Sequence, residues 1–134
     1  MMQPKKTKYK KSFRGKISGQ EYKVNKLAFG NLGIKVLKPG RIKASQLEAI
    51  RKALFKKLKG KGKIWIRIFP NLSVSAKPVE IRMGKGKGPV SYWCFPVKAG
   101  RVIFEIQEKS TSISKEIFKI TRNKLALPIS LISQ

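Results

Sequence analysis

The sequence predicts an α+β fold on three observations: segments in which apolar and polar residues alternate, a helix whose apolar stripe recurs at three- and four-residue steps, and hairpin turns in place of repeated crossovers. At 134 residues the chain is long enough for one compact domain and too short for two separate cores. The expected architecture is a single domain with a mixed or antiparallel sheet, two helices, a long basic Gly-Lys hairpin loop and a basic N-terminal arm.

The elements follow in chain order. Residues 1–20 carry Lys5, Lys6, Lys8, Lys10, Lys11, Arg14 and Lys16 with no acid and few large apolar groups, so they read as an arm that becomes ordered on a partner, ahead of a domain over 21–134. Leu27 to Leu37 is strand-like, with Gly30 and Gly33 marking a bulge or a close backbone approach, and Pro39-Gly40 turns the chain. Ser45-Gln46-Leu47-Glu48 has the form of a capping box, in which the serine hydroxyl and Glu48 satisfy the first amides of a helix. Leu47, Ile50, Leu54 and Leu58 make its buried stripe, Lys52, Lys56 and Lys59 lie on another face, and Gly60 ends it.

Lys63 to Phe69 alternates as a strand stopped by Pro70. Pro78 to Arg82 and Val90 to Phe95 are expected as the two strands of a hairpin around Met83-Gly84-Lys85-Gly86-Lys87-Gly88-Pro89. Arg101 to Gln107 is another alternating strand. A second helix is expected from near Ser112 to Lys124, with Ile113, Ile117 and Ile120 inward, and Leu125 to Ile132 closes the fold as a strand.

Composition narrows the chemistry. Lys and Arg number 32 against 6 acids, a formal charge of +26, while 41% of the residues are hydrophobic, so the chain can bury a core and carry charge around it. Such a balance implies a polyanion partner. No His or Asp is present, and the acids are Glu21, Glu48, Glu80, Glu105, Glu108 and Glu116, which excludes Ser-His-Asp and Cys-His devices and leaves no imidazole for a metal site. No enzyme activity, cofactor, metal or small-molecule substrate is expected. Cys94 stands alone, so no internal disulfide forms, and it reads as a buried strand thiol kept in a reducing compartment. The charged N-terminus has no apolar stretch of signal-peptide length, no segment has the length of a membrane span, and no membrane partner is expected.

The tip Gly84-Lys85-Gly86-Lys87-Gly88, with Arg82 and Met83 before it, is the most informative stretch: glycines let the backbone approach another surface while the cations meet phosphate. It lacks the Ser or Thr of a nucleotide-binding loop. Gly60-Lys61-Gly62-Lys63 repeats the chemistry, though a helix stop with a linker accounts for it equally well. The lysine face of the first helix, Lys52, Lys56 and Lys59, is read as a phosphate contact. Trp65, Phe69, Tyr92, Trp93 and Phe95 lie on expected strands, where core packing is the expected role for most, and no base-stacking residue is assigned. Lysines outnumber arginines 25 to 7, favouring backbone and shape recognition of folded RNA over reading of a DNA sequence.

These residues resemble a known family, the universal large-subunit ribosomal protein numbered sixteen in the bacterial scheme, with its archaeal and eukaryotic ten-e counterpart. The resemblance lies in Met2 to Lys8, Gln46 to Ala53, Gly62 to Pro70, and Lys77-Pro78 through Arg82 to Gly88 followed by Tyr92-Trp93, in order and at the family's spacing. It covers nearly the whole chain and departs at Asn71 to Ala76, Glu108 to Ser114 and after Leu125. It implies an α+β domain bound to large-subunit rRNA beneath the central protuberance, near the A-site tRNA, with neighbouring ribosomal proteins as further partners. It would place Arg82, Lys85 and Lys87, in the segment Arg82 to Gly88, closest to tRNA and the peptidyl-transferase centre. The arm from Lys5 to Lys16 would thread between rRNA helices. The 15 isoleucines and the excess of Lys over Arg suggest an adenine-thymine-rich genome and an organellar member, mitochondrial first, with a plastid or a bacterial cytoplasm as alternatives. Against this stand a general nucleic-acid chaperone, which needs charge but no fixed partner, and an RNA-processing enzyme acting through a Glu.

Overall fold

The computed structural model describes residues 2–60, 62–107 and 111–133, and of Thr111 and Ser112 the backbone only. Among the described residues, seven strands and two helices run in the order β1 (Leu32–Val36), β2 (Gly40–Lys43), α1 (Ala44–Leu58), β3 (Lys63–Ile66), β4 (Leu72–Ser75), β5 (Val90–Val97), β6 (Val102–Gln107), α2 (Thr111–Lys124) and β7 (Ile129–Ser133). They form a four-stranded sheet, β3-β6-β1-β7, and a three-stranded sheet, β2-β5-β4. All ladder pairs are antiparallel, and the parallel element is an isolated bridge, Gln20 to Ala99. The α+β expectation therefore holds, with two sheets where one was expected.

The apolar stripe of α1 seeds the core. Leu47, Ile50, Leu54 and Leu58 are buried together with Ile34 and Val36 of β1, Ile42 of β2, Val97 of β5, Phe104 and Ile106 of β6 and Ile117 of α2. On α2, Ile113 and Phe118 pack beside Ile117. Ile120 is only half-buried, and Thr121 takes the buried position, its hydroxyl donating to the Ile117 carbonyl at 2.8 Å. Cys94 is a buried free thiol on β5, as its setting suggested, and burial pushes its pKa up.

Several local expectations change. The expected strand over 27–37 is divided: residues 27–31 leave the sheet and cross its face, and β1 begins at Leu32. Helix α1 starts at Ala44, and the capping bond is donated by the Lys43 amide to the Gln46 side-chain oxygen at 3.0 Å, not made by a Ser45 box. Glu48 instead pairs with Arg51 at 2.6 Å and reaches Lys52 at 4.0 Å. The helix closes through Lys59 at φ 49°, one residue before Gly60.

The largest correction concerns the hairpin. Pro78 to Arg82 is not a strand, because β4 takes the place beside β5, from Leu72 opposite Cys94 to Ser75 opposite Val90. The Ala76 amide closes the ladder on the Pro89 carbonyl at 3.1 Å, and the chain between them is a loop in which Ile81 turns back to the Pro78 carbonyl at 3.3 Å. At Gly88 a Cβ would sit 2.5 Å from the Ala76 carbonyl oxygen, so only glycine lets the loop base close this tightly.

The four-stranded sheet is covered on both faces, and Glu105 explains how. Its side chain is fully buried; one oxygen accepts the backbone N–H groups of Ala28 (3.0 Å), Phe29 (2.6 Å) and Gly30 (3.0 Å), and the other accepts from Arg67. Neighbouring positions complete the contact: Gly33 opposes Glu105 and has no room for a Cβ because Leu27 fills the space, while Gly30 lies against the Ile106 backbone. A second clasp follows. Glu21 pairs with Arg101 at 2.7 Å, the Glu21 amide donates to Ala99 at 2.9 Å, and the Val102 amide donates to Val24 at 2.9 Å. Burial raises the Glu105 pKa, but the three amides and Arg67 outweigh it, and the net shift is downward.

Three variants test this packing. Leu54→Ala is expected to lower the free energy of unfolding by roughly 2–5 kcal/mol in urea titration. Because the folded pKa of Glu105 lies below the ordinary carboxylate value, its contribution is complete above about pH 4.3 and is lost as pH falls through the folded pKa. Glu105→Ala, which strands Arg67 and three amides, is expected to cost about 3–5 kcal/mol at neutral pH. Glu105→Gln is expected to flatten the acid limb of stability against pH, and an unaltered limb would refute the assignment.

Candidate nucleic-acid interface

Four of the six acids of this chain are engaged in ion pairs. Glu21, Glu48, Glu105 and Glu116 form the ion pairs found among the described residues, with Arg101, Arg51 and Lys52, Arg67, and Lys57 respectively. Glu80 is exposed in the loop that follows β4, which is therefore not free of acid along its whole length. Glu108 lies outside the described residues.

The expected cations sit elsewhere and are exposed. Lys5, Lys6, Lys8, Lys10, Lys11, Arg14 and Lys16 lie on the arm, Lys52, Lys56 and Lys59 on α1 and its end, Lys63 at the start of β3, and Arg82, Lys85 and Lys87 on the loop. Lys52 has Glu48 one turn before it, which weakens its claim to a phosphate. Lys61 lies outside the described residues. At the tip, Gly84, Lys85 and Gly86 have φ of 96°, 56° and 84°, so the two glycines accept a backbone that most residues resist. Met83 is fully exposed, and Gly88 is the buried hinge of the loop base.

The structure brings two of these groups together. Lys11 donates to the Lys87 carbonyl at 2.7 Å, and Lys87 returns a bond to the Ser12 carbonyl at 2.7 Å. Ser12 meets Ser73 of β4 hydroxyl to hydroxyl at 3.1 Å, and Arg41 of β2 donates to the carbonyls of Arg14 (3.0 Å) and Gly15 (2.6 Å). Arm, loop and the three-stranded sheet thus form one continuous basic surface on which ammonium and guanidinium groups crowd together with carbonyls as their partners. The lysines of α1 are not part of this contact. Neither Phe13 nor Arg41 was singled out from sequence; the available signal for the former was the pair Tyr9 and Phe13, four apart in a lysine-rich run.

None of the five aromatics expected on strands is fully buried, and Phe69 lies beyond the end of β3; Phe95 packs against the core in part, beside the fully buried Phe104. Phe29 and Trp65 stack at 6.0 Å with an interplanar angle of 21°, and Arg67 lies 5.0 Å from the Phe29 ring. With Met2, Ile64 and Phe69 they line an open groove along the β3 edge of the four-stranded sheet. Lys43 stands 4.8 Å from Tyr92, and Arg101 stands 5.0 Å from Phe95.

Comparison with known proteins identifies the family. The chain is 45% identical over 134 residues to the large ribosomal subunit protein uL16 of Allorhizobium ampelinum, covering 100% of this chain and 98% of that one. It is 44% identical over 134 residues to uL16 of Rhizobium etli, with the same coverage, and 46% identical over 127 residues to uL16 of Mesorhizobium japonicum, covering 95% and 93%. These relatives are bacterial and do not support the mitochondrial placement drawn from isoleucine and lysine content. A family model for ribosomal protein L16p/L10e matches residues 4–132, and on this match, over nearly its whole length, the chain belongs to the ribosomal protein L16p/L10e family.

Proposed function

We propose that this chain is a structural constituent of the large ribosomal subunit that binds its rRNA near the central protuberance and helps to position A-site tRNA close to the peptidyl-transferase centre. The family is one of ribosomal proteins and not of enzymes, and the chain acts by organising RNA. The observation that carries the reading is the segregation of charge: four glutamates are held in structural pairs, while the arm and the loop present cations whose hydrogen-bond partners are backbone carbonyls. Phosphate supplies the missing anion. In this reading Lys5, Lys6, Lys8, Lys10, Lys11, Arg14 and Lys16, with Lys56, Lys59, Lys61 and Lys63 and more weakly Lys52, contact rRNA, and Arg82 to Gly88 approach tRNA. Neighbouring ribosomal proteins meet the remaining surface. The bacterial relatives fit a bacterial cytoplasm.

Lys87 anchors the arm, so the cleaner test changes the other two loop cations. Arg82→Ala with Lys85→Ala is expected to leave the free energy of unfolding in urea within about 0.5 kcal/mol of the wild-type value. The same variant should lower the slope of log affinity for A-site tRNA on reconstituted large subunits against log salt by roughly 1.4 to 1.8. Particles reconstituted with it should accommodate A-site tRNA more slowly. Unchanged affinity and unchanged accommodation would sink the reading. Sedimentation of the wild-type chain with all nucleic acids, without preference for large subunits, would favour a general chaperone.

A further inference from the structure

We propose that Phe13 is a stacking platform for one unpaired base of the RNA, set at the junction of arm and loop. The inference rests on the RNA-binding reading above and adds to it a specific contact that charge alone does not supply. Phe13 is 92% exposed, so its ring is accessible to a ligand. Its backbone is nonetheless held on both sides. Ser12 is fixed by Lys87 at 2.7 Å and by Ser73 at 3.1 Å, and Arg14 and Gly15 are fixed by Arg41 at 3.0 and 2.6 Å. The backbone that carries the ring is therefore anchored, so part of the ordering a ligand would otherwise have to impose is already in place.

The surroundings select the ligand. The Lys87 ammonium lies 5.1 Å from the Phe13 ring centroid, and Lys11 is bound to the same loop residue, so positive charge surrounds an open aromatic face. A nucleobase offers a flat π-surface for the ring and carries a phosphate for the lysines, a pairing that a neutral apolar peptide lacks. A base inside a duplex has both faces covered by its neighbours, so the occupant is an unpaired one.

The test separates stacking from charge and from the parent reading. The full-length chain and its Phe13→Ala, Phe13→Trp and Lys87→Ala variants are titrated with a large-subunit rRNA transcript over a series of salt concentrations. Phe13→Ala is expected to bind roughly 5- to 150-fold more weakly at every salt with the slope unchanged, and Phe13→Trp to restore binding. Lys87→Ala is expected to reduce the slope by about 0.7 to 0.9. If the wild-type chain fails to bind the transcript, the RNA-binding reading itself falls. If the wild type binds and Phe13→Ala binds equally well, the platform is refuted while the parent reading stands, and the residue then serves a protein neighbour instead. A loss that tryptophan does not rescue, or that comes with a shallower slope, also refutes stacking.

Discussion

One buried carboxylate ties the first third of the chain to the last. Glu105 on β6 gathers three consecutive amides from residues 28–30 and the guanidinium of Arg67, so a segment with no ladder of its own becomes the cover of the four-stranded sheet. A charge in that position is tolerable only because every partner is present at once. The glycines around it follow from the same constraint: Gly30 lets the backbone touch Ile106, and Gly33 leaves space for Leu27. The stacked pair of Phe29 and Trp65 sits on the same row, since Trp65 is the ladder partner of Glu105.

The same economy shapes the surface. A chain of charge +26 has few acids to distribute, and this fold uses three of them, Glu21, Glu105 and Glu116, to clamp cations across segments, while Glu48 pairs within α1. What remains outside is almost uniformly basic. Held without an anion, such a surface repels itself; held against phosphate, the same repulsion becomes affinity. Structure and partner are two halves of one electrostatic balance.

The helices and strand β6 were legible because their signal is internal to each segment, whereas β2, which brings Ile42 to the core, was read only as a turn. The stripe from Leu47 to Leu58 and the alternation of Val102 to Gln107 predict burial without knowledge of neighbours. Strand β4 was not legible: Leu72-Ser73-Val74-Ser75 offers two apolar side chains after a proline, and its place is decided by pairing with β5. The segment from Pro78 to Arg82 shows the converse, for Val79 and Ile81 alternate as a strand would yet stand exposed with no ladder to join. At the basic surface, the cations could be named from composition, but their meeting could not. Lys11 and Lys87 are 76 residues apart, and no local pattern announces that the arm rests on the loop. Glu105 reads in sequence as one acid in an apolar strand, and its role appears only once residues 28–30 fold over it.

The strand order has a consequence for how the chain is made. β1 lies at the middle of its sheet, and both of its partners, β6 and β7, come from the far end of the sequence. During synthesis, therefore, the ladder around β1 waits until residues near Val102 have emerged, and contacts of such wide separation close slowly. Throughout that interval the lysine-rich start of the nascent polypeptide is available while its own domain is unfinished. The topology thus leaves the growing chain able to engage an anionic partner before its larger sheet exists.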